Sequence, residues 1–555
     1  MLPPLVRTLT APLGFCVRGL ARLALSSRLG NSGVVEVKLD HRVKHPLVVL
    51  GTLERVVAQQ GVRAVLIRLD RLVWGWATLA EWREGLQRIR EAGKVVVVAA
   101  SSPGNRELLL AGVADKIVVP PMGEVGLVGV GGRMRFFGPA LERLGLRFDV
   151  EAAGAYKSMG ESFTRSHPSA ANREAVECLV DDLHAELVEG LAAARGLSLE
   201  RVQELIDSAP LAPDDALAAG LIDAVGYDDD VDALLKELIG VEPRLVPLNQ
   251  LAPATRVIRR VDELYATADR VAVVHLAGNV TMGMEPGGGT RIAPTEVTPV
   301  LRELAEDDRV KAVVLSVNSP GGSVLASDLI WREVQRLNEV KPVVASFQDV
   351  AASGGYYIAA CTRAIFARPG TVTGSIGVVG GKLVTGRAAA QLGVFSEAIT
   401  RGRNVGMFQP DQPFDDHQRK QFRARLERAY ENFVQRVSDG RQRPFDEMEA
   451  VARGRVWSGR SAVTRGLVDG LGGLTQAVER ARELADLKPD RWERHDLLVR
   501  PMRNVLLELL PQAQARAAMQ SWAAKLGLAL PPMAELMLAH PHEPLAVLPG
   551  EIDLG

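Results

Sequence analysis

Cysteine is scarce in this chain. The 555 residues hold three, Cys16, Cys178 and Cys361. They are far apart and odd in number, so neither a disulfide framework nor a paired-cysteine metal site is expected. The nine histidines are scattered without metal-ligand spacing, and no metal or other cofactor is expected. An excess of charge of one sign is missing too: 66 basic residues against 67 acidic ones leave a net charge of −1. A nucleic-acid binder shows a basic excess or a basic patch, so no nucleic-acid partner is expected. Long apolar runs are also lacking near the N-terminus. The longest uncharged stretch there, Thr8 to Val17, has 10 residues, whereas a membrane span needs about 20. Within residues 1–33, Arg18, Arg22 and Arg28 lie among Val17, Leu20, Leu23 and Leu25. That pattern suits a basic amphipathic helix on a membrane surface and equally a helix packed on the protein itself.

What is present is ordinary globular composition, 47% apolar and 24% charged, in a chain long enough for several domain-sized units. An internal repeat organises it. "GVRAVLIRLD" (61–70) resembles "RVKAVVLSVN" (309–318), and "AGVADKIVVPPMGEVGLVGVGG" (111–132) resembles "AACTRAIFARPGTVTGSIGVVG" (359–380). Both pairs fall at one offset of 248 residues, with identities at Val62/Val310, Ala64/Ala312, Ala111/Ala359, Ile117/Ile365, Gly126/Gly374 and Gly129/Gly377. Two homologous halves follow, 34–245 and 268–488, joined by a linker at 246–267 and extended by residues 489–555. In each half short β-branched strands alternate with helical patterns, which predicts an α/β fold with parallel sheets covered on both faces. The last 67 residues read as an amphipathic helical stretch and a proline-rich tail with one short strand.

Scaffold residues should recur in both copies of a duplicated fold; chemistry can survive in one. "AASGGYYIAA" places Ser353 before two glycines, and at the repeat offset Asn105 stands in its place. Gly321 and Gly322 of "NSPGGSV" fall on Val73 and Trp74, Gly355 on Glu107, and Ser375 of "TGSIGV" on Leu127. A purely structural glycine turn would be expected twice, so its restriction to one half favours chemistry. Glycines after a buried strand let backbone N–H groups approach a ligand and stabilise an oxyanion. Ser353 then reads as a nucleophile, with Gly321, Gly322 and Gly354 as the oxyanion hole. A serine needs a base. His275 lies in a strand and His417 in no triad-like motif. Lys157 of "GAYKSMGESF" aligns with Val405, so the half without the serine has the lysine. That reciprocity points to one site assembled from both halves, with a lysine kept neutral by burial.

Together, "NSPGGSV", "AASGGYYIAA", "GTVTGSIGV", "GAYKSMGESF" and "GRVWSGRSAVTRGLVDGLGG" resemble the signal peptide peptidase (SppA) family in its long, tandem-repeat form. The resemblance covers roughly residues 34–490. It implies two tandem domains of the Clp-protease/crotonase (ββα-type) fold and a Ser/Lys-dyad endopeptidase that degrades cleaved signal peptides and other apolar peptides. It also implies a homo-oligomer, a tetramer in preference, and residence at the bacterial cytoplasmic membrane. Carried onto this chain, the nucleophile is Ser353, the general base Lys157, and Ser375 the hydroxyl that orients the lysine. Long members usually begin with a membrane-spanning anchor, which the broken segment 1–33 does not resemble. Attachment is therefore expected to be peripheral, with a cytoplasmic location as the alternative. Two rival functions fit the same residues. A crotonase-like acyl-CoA enzyme would keep thioester activity after Ser353→Ala. A non-catalytic scaffold for membrane proteins, with a relic site, would hold Lys157 and Ser353 out of hydrogen-bond reach.

Overall fold

The computed structural model describes residues 4–43, 45–265, 268–283, 290–489, 491–498, 545–547 and 553–554. The helix expected within the C-terminal extension lies outside the described residues. The chain forms two compact units. One comprises Met1–Val130 with Leu183–Ala268, and the other Gly131–Asp182 with Asp269–Gly555.

The first unit is built on a parallel sheet whose order is Ala224–Val225, Lys116–Val119, Val95–Ala100, Val62–Leu69, Gly33–Leu39, Arg244–Pro247. Its central strands are apolar on both faces, as in Val62–Leu69, where Ala64, Val65, Leu66 and Ile67 are all buried. Only a sheet covered on both sides selects such runs. The N-terminal helix Pro4–Leu29 packs on the helix Leu248–Tyr265 of the same unit. Leu25 and Leu29 are buried there, and Arg18 pairs with Asp262 at 3.2 Å. Phe15, Leu20 and Leu23 remain exposed. Among the described residues no helix is long and apolar enough to cross a membrane.

The second unit repeats that topology. Its parallel strands run Gly470–Leu471, Ala364–Ala367, Val343–Ala352, Val310–Ser319, Asp269–Ala277, Trp492–Leu498. The internal duplication is thus visible as the same strand order drawn twice, in an α/β fold with two parallel sheets.

A smaller mixed sheet belongs to the second unit alone. Its order is Arg291–Ile292, Asn279–Val280, Gly321–Ser323, Leu545–Val547, Val378–Val384, Arg147–Ala153. The last strand comes from the first sequence repeat. It pairs antiparallel with Val378–Val384 from Val378↔Ala153 to Val384↔Arg147. Phe148, Met159 and Phe163 close a small core with Val379, each burial stabilising by about 1.5–3 kcal/mol. On the polar side Arg419 reaches Asp149 at 2.8 Å, and Arg423 reaches Glu151 at 2.7 Å. Residues 131–182 are therefore fastened to the second repeat by backbone, apolar and ionic contacts together.

Candidate active site

Ser353 ends the long strand Val343–Ala352 and precedes the short helix Gly354–Ala359. Its backbone is at φ 54°, ψ −117°, a region that costs an L-residue of order 1–3 kcal/mol and persists only where the surroundings impose it. They do so here. The Ser353 N–H donates to Gly374 O at 2.8 Å, and its carbonyl accepts from Tyr357 N at 2.8 Å. The next residues must be small. A Cβ on Gly354 would meet Ser327 Oγ at 2.6 Å and Gly322 N at 3.1 Å, and one on Gly355 would meet Ser319 O at 2.7 Å.

Lys157 follows the strand Arg147–Ala153 in a tight turn. Its N–H donates to Gly154 O at 3.0 Å, and the Tyr156 N–H donates to Arg453 O at 2.7 Å. Gly454 at φ +77° lies under that turn, where a Cβ would stand 2.6 Å from Lys157 N. Arg455 braces the same turn. It hydrogen-bonds the Tyr156 hydroxyl at 3.3 Å and Glu174 at 2.6 Å, and its guanidinium lies 4.2 Å over the Trp457 ring.

The two side chains meet. Lys157 Nζ is 2.8 Å from Ser353 Oγ, 2.9 Å from Ser375 Oγ and 2.9 Å from Ser375 O. All three residues are buried, Ser353 and Ser375 completely. Burial pushes the Lys157 amine well below the ordinary lysine range, because the ammonium would lose its hydration. A neutral amine has two N–H donors and one lone pair. The Ser375 carbonyl and hydroxyl take the two donors, and the lone pair is left for the Ser353 O–H. Ser375 is itself held at φ 51° by a hydrogen bond from its N–H to Arg455 O at 2.7 Å.

The glycine strand lies against the serine. A Cβ on Gly322 would sit 1.9 Å from Val280 O, so that position admits only glycine. The Gly321 amide donates to Ser319 Oγ at 3.1 Å. Gly354 is the first residue of its helix, where N–H groups have no intrahelical acceptor. A cavity of about 800 Å³ borders the lysine turn and is lined in part by Gly154, Lys157, Ser158 and Arg419.

Other candidates are placed elsewhere. His275 Nε2 pairs with Asp496 at 3.0 Å across neighbouring strands. Burial pushes the Cys361 thiol up to about 12, which makes it a poor nucleophile. No group of histidine, cysteine and carboxylate side chains suited to a metal ion occurs among the described residues. Sequence reasoning missed Ser319, Arg453, Gly454 and Arg455. The last three lie in or beside the "GRVWSG" motif, and they were hidden because their contacts with the lysine turn arise only in the folded chain.

The chain is similar to several known proteins. The model of Peptidase family S49 matches twice, at residues 88–242 and 335–488. Serine protease SPPA, chloroplastic, of Arabidopsis thaliana is 33% identical over 430 residues, covering 77% of this chain; the matched region spans 64% of that protein's length. Protease 4 of Salmonella typhi is 30% identical over 452 residues, covering 78% of this chain and 71% of its own. A solved ClpP1 mutant from Listeria monocytogenes aligns over 37% of this chain and 94% of its own, at 14% identity and a TM-score of 0.25. Both matches to the family model include a piece of the serine–lysine constellation, the first Lys157 and the second Ser353 and Ser375, and on these matches the chain belongs to peptidase family S49, a family of serine peptidases.

Proposed function

We propose that this chain is a serine endopeptidase that cleaves extended apolar peptides, spent signal peptides among them, with Ser353 as nucleophile and Lys157 as general base. The observation that carries the reading is the 2.8 Å separation of Lys157 Nζ and Ser353 Oγ in a buried setting. A relic site on a scaffold protein has no reason to hold a desolvated amine there.

The steps follow from the parts. The neutral Lys157 amine takes the Ser353 proton while Oγ attacks the peptide carbonyl carbon. The carbonyl oxygen becomes an oxyanion held by backbone N–H groups. With the Gly321 amide committed to Ser319, this role falls to Gly322 and Gly354. The Lys157 ammonium then gives its proton to the leaving amine as the C–N bond breaks. Water, deprotonated by the same lysine, releases the acyl group. Ser375 positions the amine through two hydrogen bonds. Only the unprotonated amine acts as base, so activity rises with pH as Lys157 loses its proton.

Two further parts of the reading rest on surfaces. Exposed Phe15, Leu20 and Leu23 beside exposed Arg22 suit peripheral contact with a cytoplasmic membrane. The repeat counterpart of the strand Arg147–Ala153 is residues 395–401, which form no strand. There and just before, Leu392, Phe395 and Ile399 are 82%, 82% and 87% exposed. An apolar run of that kind suits a second copy of the chain, and head-to-tail repetition of the contact closes a ring, for which a tetramer is the expected size.

The test is hydrolysis of an apolar peptide by the wild type, Ser353→Ala and Lys157→Ala. Loss in both variants is expected; full activity in either overturns the dyad. Thioester hydrolysis that survives Ser353→Ala would favour the acyl-CoA reading.

A further inference from the structure

The strand Leu545–Val547 comes from the far end of the chain, yet it sits inside the small mixed sheet. It pairs antiparallel with the glycine strand, Gly321↔Val547, Gly322↔Ala546 and Ser323↔Leu545. On its other side Leu545 pairs antiparallel with Val379. Without it, the sheet has an opening one strand wide between Gly321–Ser323 and Val378–Val384. That opening runs past the dyad. Gly354, next to Ser353, abuts Gly321 and Gly322, and Ser375 lies three residues before the strand Val378–Val384. A second pairing pins the same tail: Asp553–Leu554 runs antiparallel to Gly132–Arg133.

We infer that the C-terminal tail is an intramolecular pseudosubstrate: residues 545–547 fill the peptide-binding slot beside Ser353, and an incoming peptide must displace them. The inference rests on the endopeptidase reading for its meaning, though not for its geometry. An extended peptide gains its main-chain hydrogen bonds by adding a strand at an open edge, and here both edges of the slot are taken by the chain's own segment. The same register assigns the direction of a substrate, antiparallel to both flanking strands. Its sequence, "EPLAVLPG" (543–550), is apolar and ends the paired stretch one residue before Leu548-Pro549. A tethered segment acts at an effective concentration on the order of mM. A free peptide that binds the open slot at about 0.1 mM would then be held back about tenfold.

The experiment uses the full chain carrying Ser353→Ala, so that nothing is cleaved, with the tail intact or disrupted by Ala546→Pro or by Leu545→Asp with Val547→Asp. A fluorescein-labelled peptide of residues 541–552 is titrated and read by anisotropy, and hydrogen exchange is followed at Gly321–Ser323. Both disrupted chains should bind the peptide about tenfold or more tightly than the intact one and lose protection at the glycine strand. Equal affinity and equal exchange in all three chains would overturn the inference. Protection that fades on dilution would assign the strand to a second copy and overturn the intramolecular form. In the Ser353 background the tail variants should raise kcat/KM for an added peptide by a similar factor. If no chain hydrolyses any peptide while binding still responds to the tail, the endopeptidase reading fails and the slot assignment stands.

Discussion

The two copies of the fold treat one place in opposite ways. In the second unit Ser353, Ser375 and Lys157 direct their polar atoms at one another. At the corresponding place in the first unit, Asn105 donates from Nδ2 to Gly129 O at 2.7 Å and accepts from Gly129 N at 3.2 Å. Glu107, the counterpart of Gly355, accepts from Leu72 N at 2.5 Å and Gly104 N at 3.0 Å. Trp74, in the place of Gly322, is buried and stacks on Trp82 with centroids 5.4 Å apart. Leu127, in the place of Ser375, is buried, while Val405, the counterpart of Lys157, is 53% exposed. The first copy buries Trp74 and Leu127 at these positions and spends the polar groups of Asn105 and Glu107 on its own backbone. The second unit holds a strained serine and a desolvated amine beside a sheet whose middle strand comes from the C-terminal tail. The polar constellation of the second unit draws Lys157 from the first repeat and Ser353 and Ser375 from the second.

The sharpest way to break this contrast is to mutate matched positions. Ser353→Ala and Lys157→Ala should each lower kcat/KM by about 10³-fold or more, measured on an apolar peptide. Asn105→Ala should leave kcat/KM of the folded protein unchanged and cost about 1–3 kcal/mol of stability, because the Gly129 amide and carbonyl lose their partners. A comparable activity loss in Asn105→Ala would erase the distinction. Ser375→Ala should lower kcat by about 10–100-fold with KM within twofold, since it frees the amine to turn without altering the peptide slot. If KM moves instead, Ser375 touches substrate.

Linkage gives a smaller effect. Lys157 is neutral in the folded chain at pH values where the unfolded chain protonates it. The unfolded state thus binds more protons between the lowered folded value and the ordinary lysine value, and stability rises with pH across that window. Lys157→Met should flatten that rise in denaturant titrations at stepped pH; an unchanged slope would mean the lysine is charged when folded. The smallest effect belongs to Val405→Lys, which places a lysine at the repeat position of Lys157 on an exposed loop. It should change stability by less than about 0.5 kcal/mol and leave kcat/KM as it was.

Much of this was legible in the sequence because a repeat supplies its own control. The parallel sheets followed from runs such as "AVLIRL" (64–69) and "AVVLSV" (312–317) at a fixed offset. The pairing of Ser353 with Lys157 was expected from the exchange of Ser353 for Asn105 and Lys157 for Val405, and the two side chains lie 2.8 Å apart. What escaped was whatever depends on long-range placement. Periodicity along residues 147–153 marks a strand without naming its neighbour, and the pairing with Val378–Val384 had to be seen. The positive φ of Ser353 and Ser375 is imposed by Gly374 and Arg455 through backbone contacts. Gly454 lies under the Lys157 turn, a contact that no spacing announces. The hydrogen bond from the Gly321 amide to Ser319 likewise needed three dimensions, and it is why Gly322 and Gly354 are the donors proposed for the oxyanion. The short strand expected in the tail is present, but its partner was invisible in the sequence.

The central claim is that one serine in the chain, activated by one lysine from the other repeat, does the chemistry. A small serine-reactive phosphonate, followed by peptide mapping in a mass spectrometer, tests it most directly. One label per chain is expected, on Ser353, absent in Lys157→Ala and unchanged in Asn105→Ala. Label on another residue, or full labelling of Ser353 without Lys157, would contradict it.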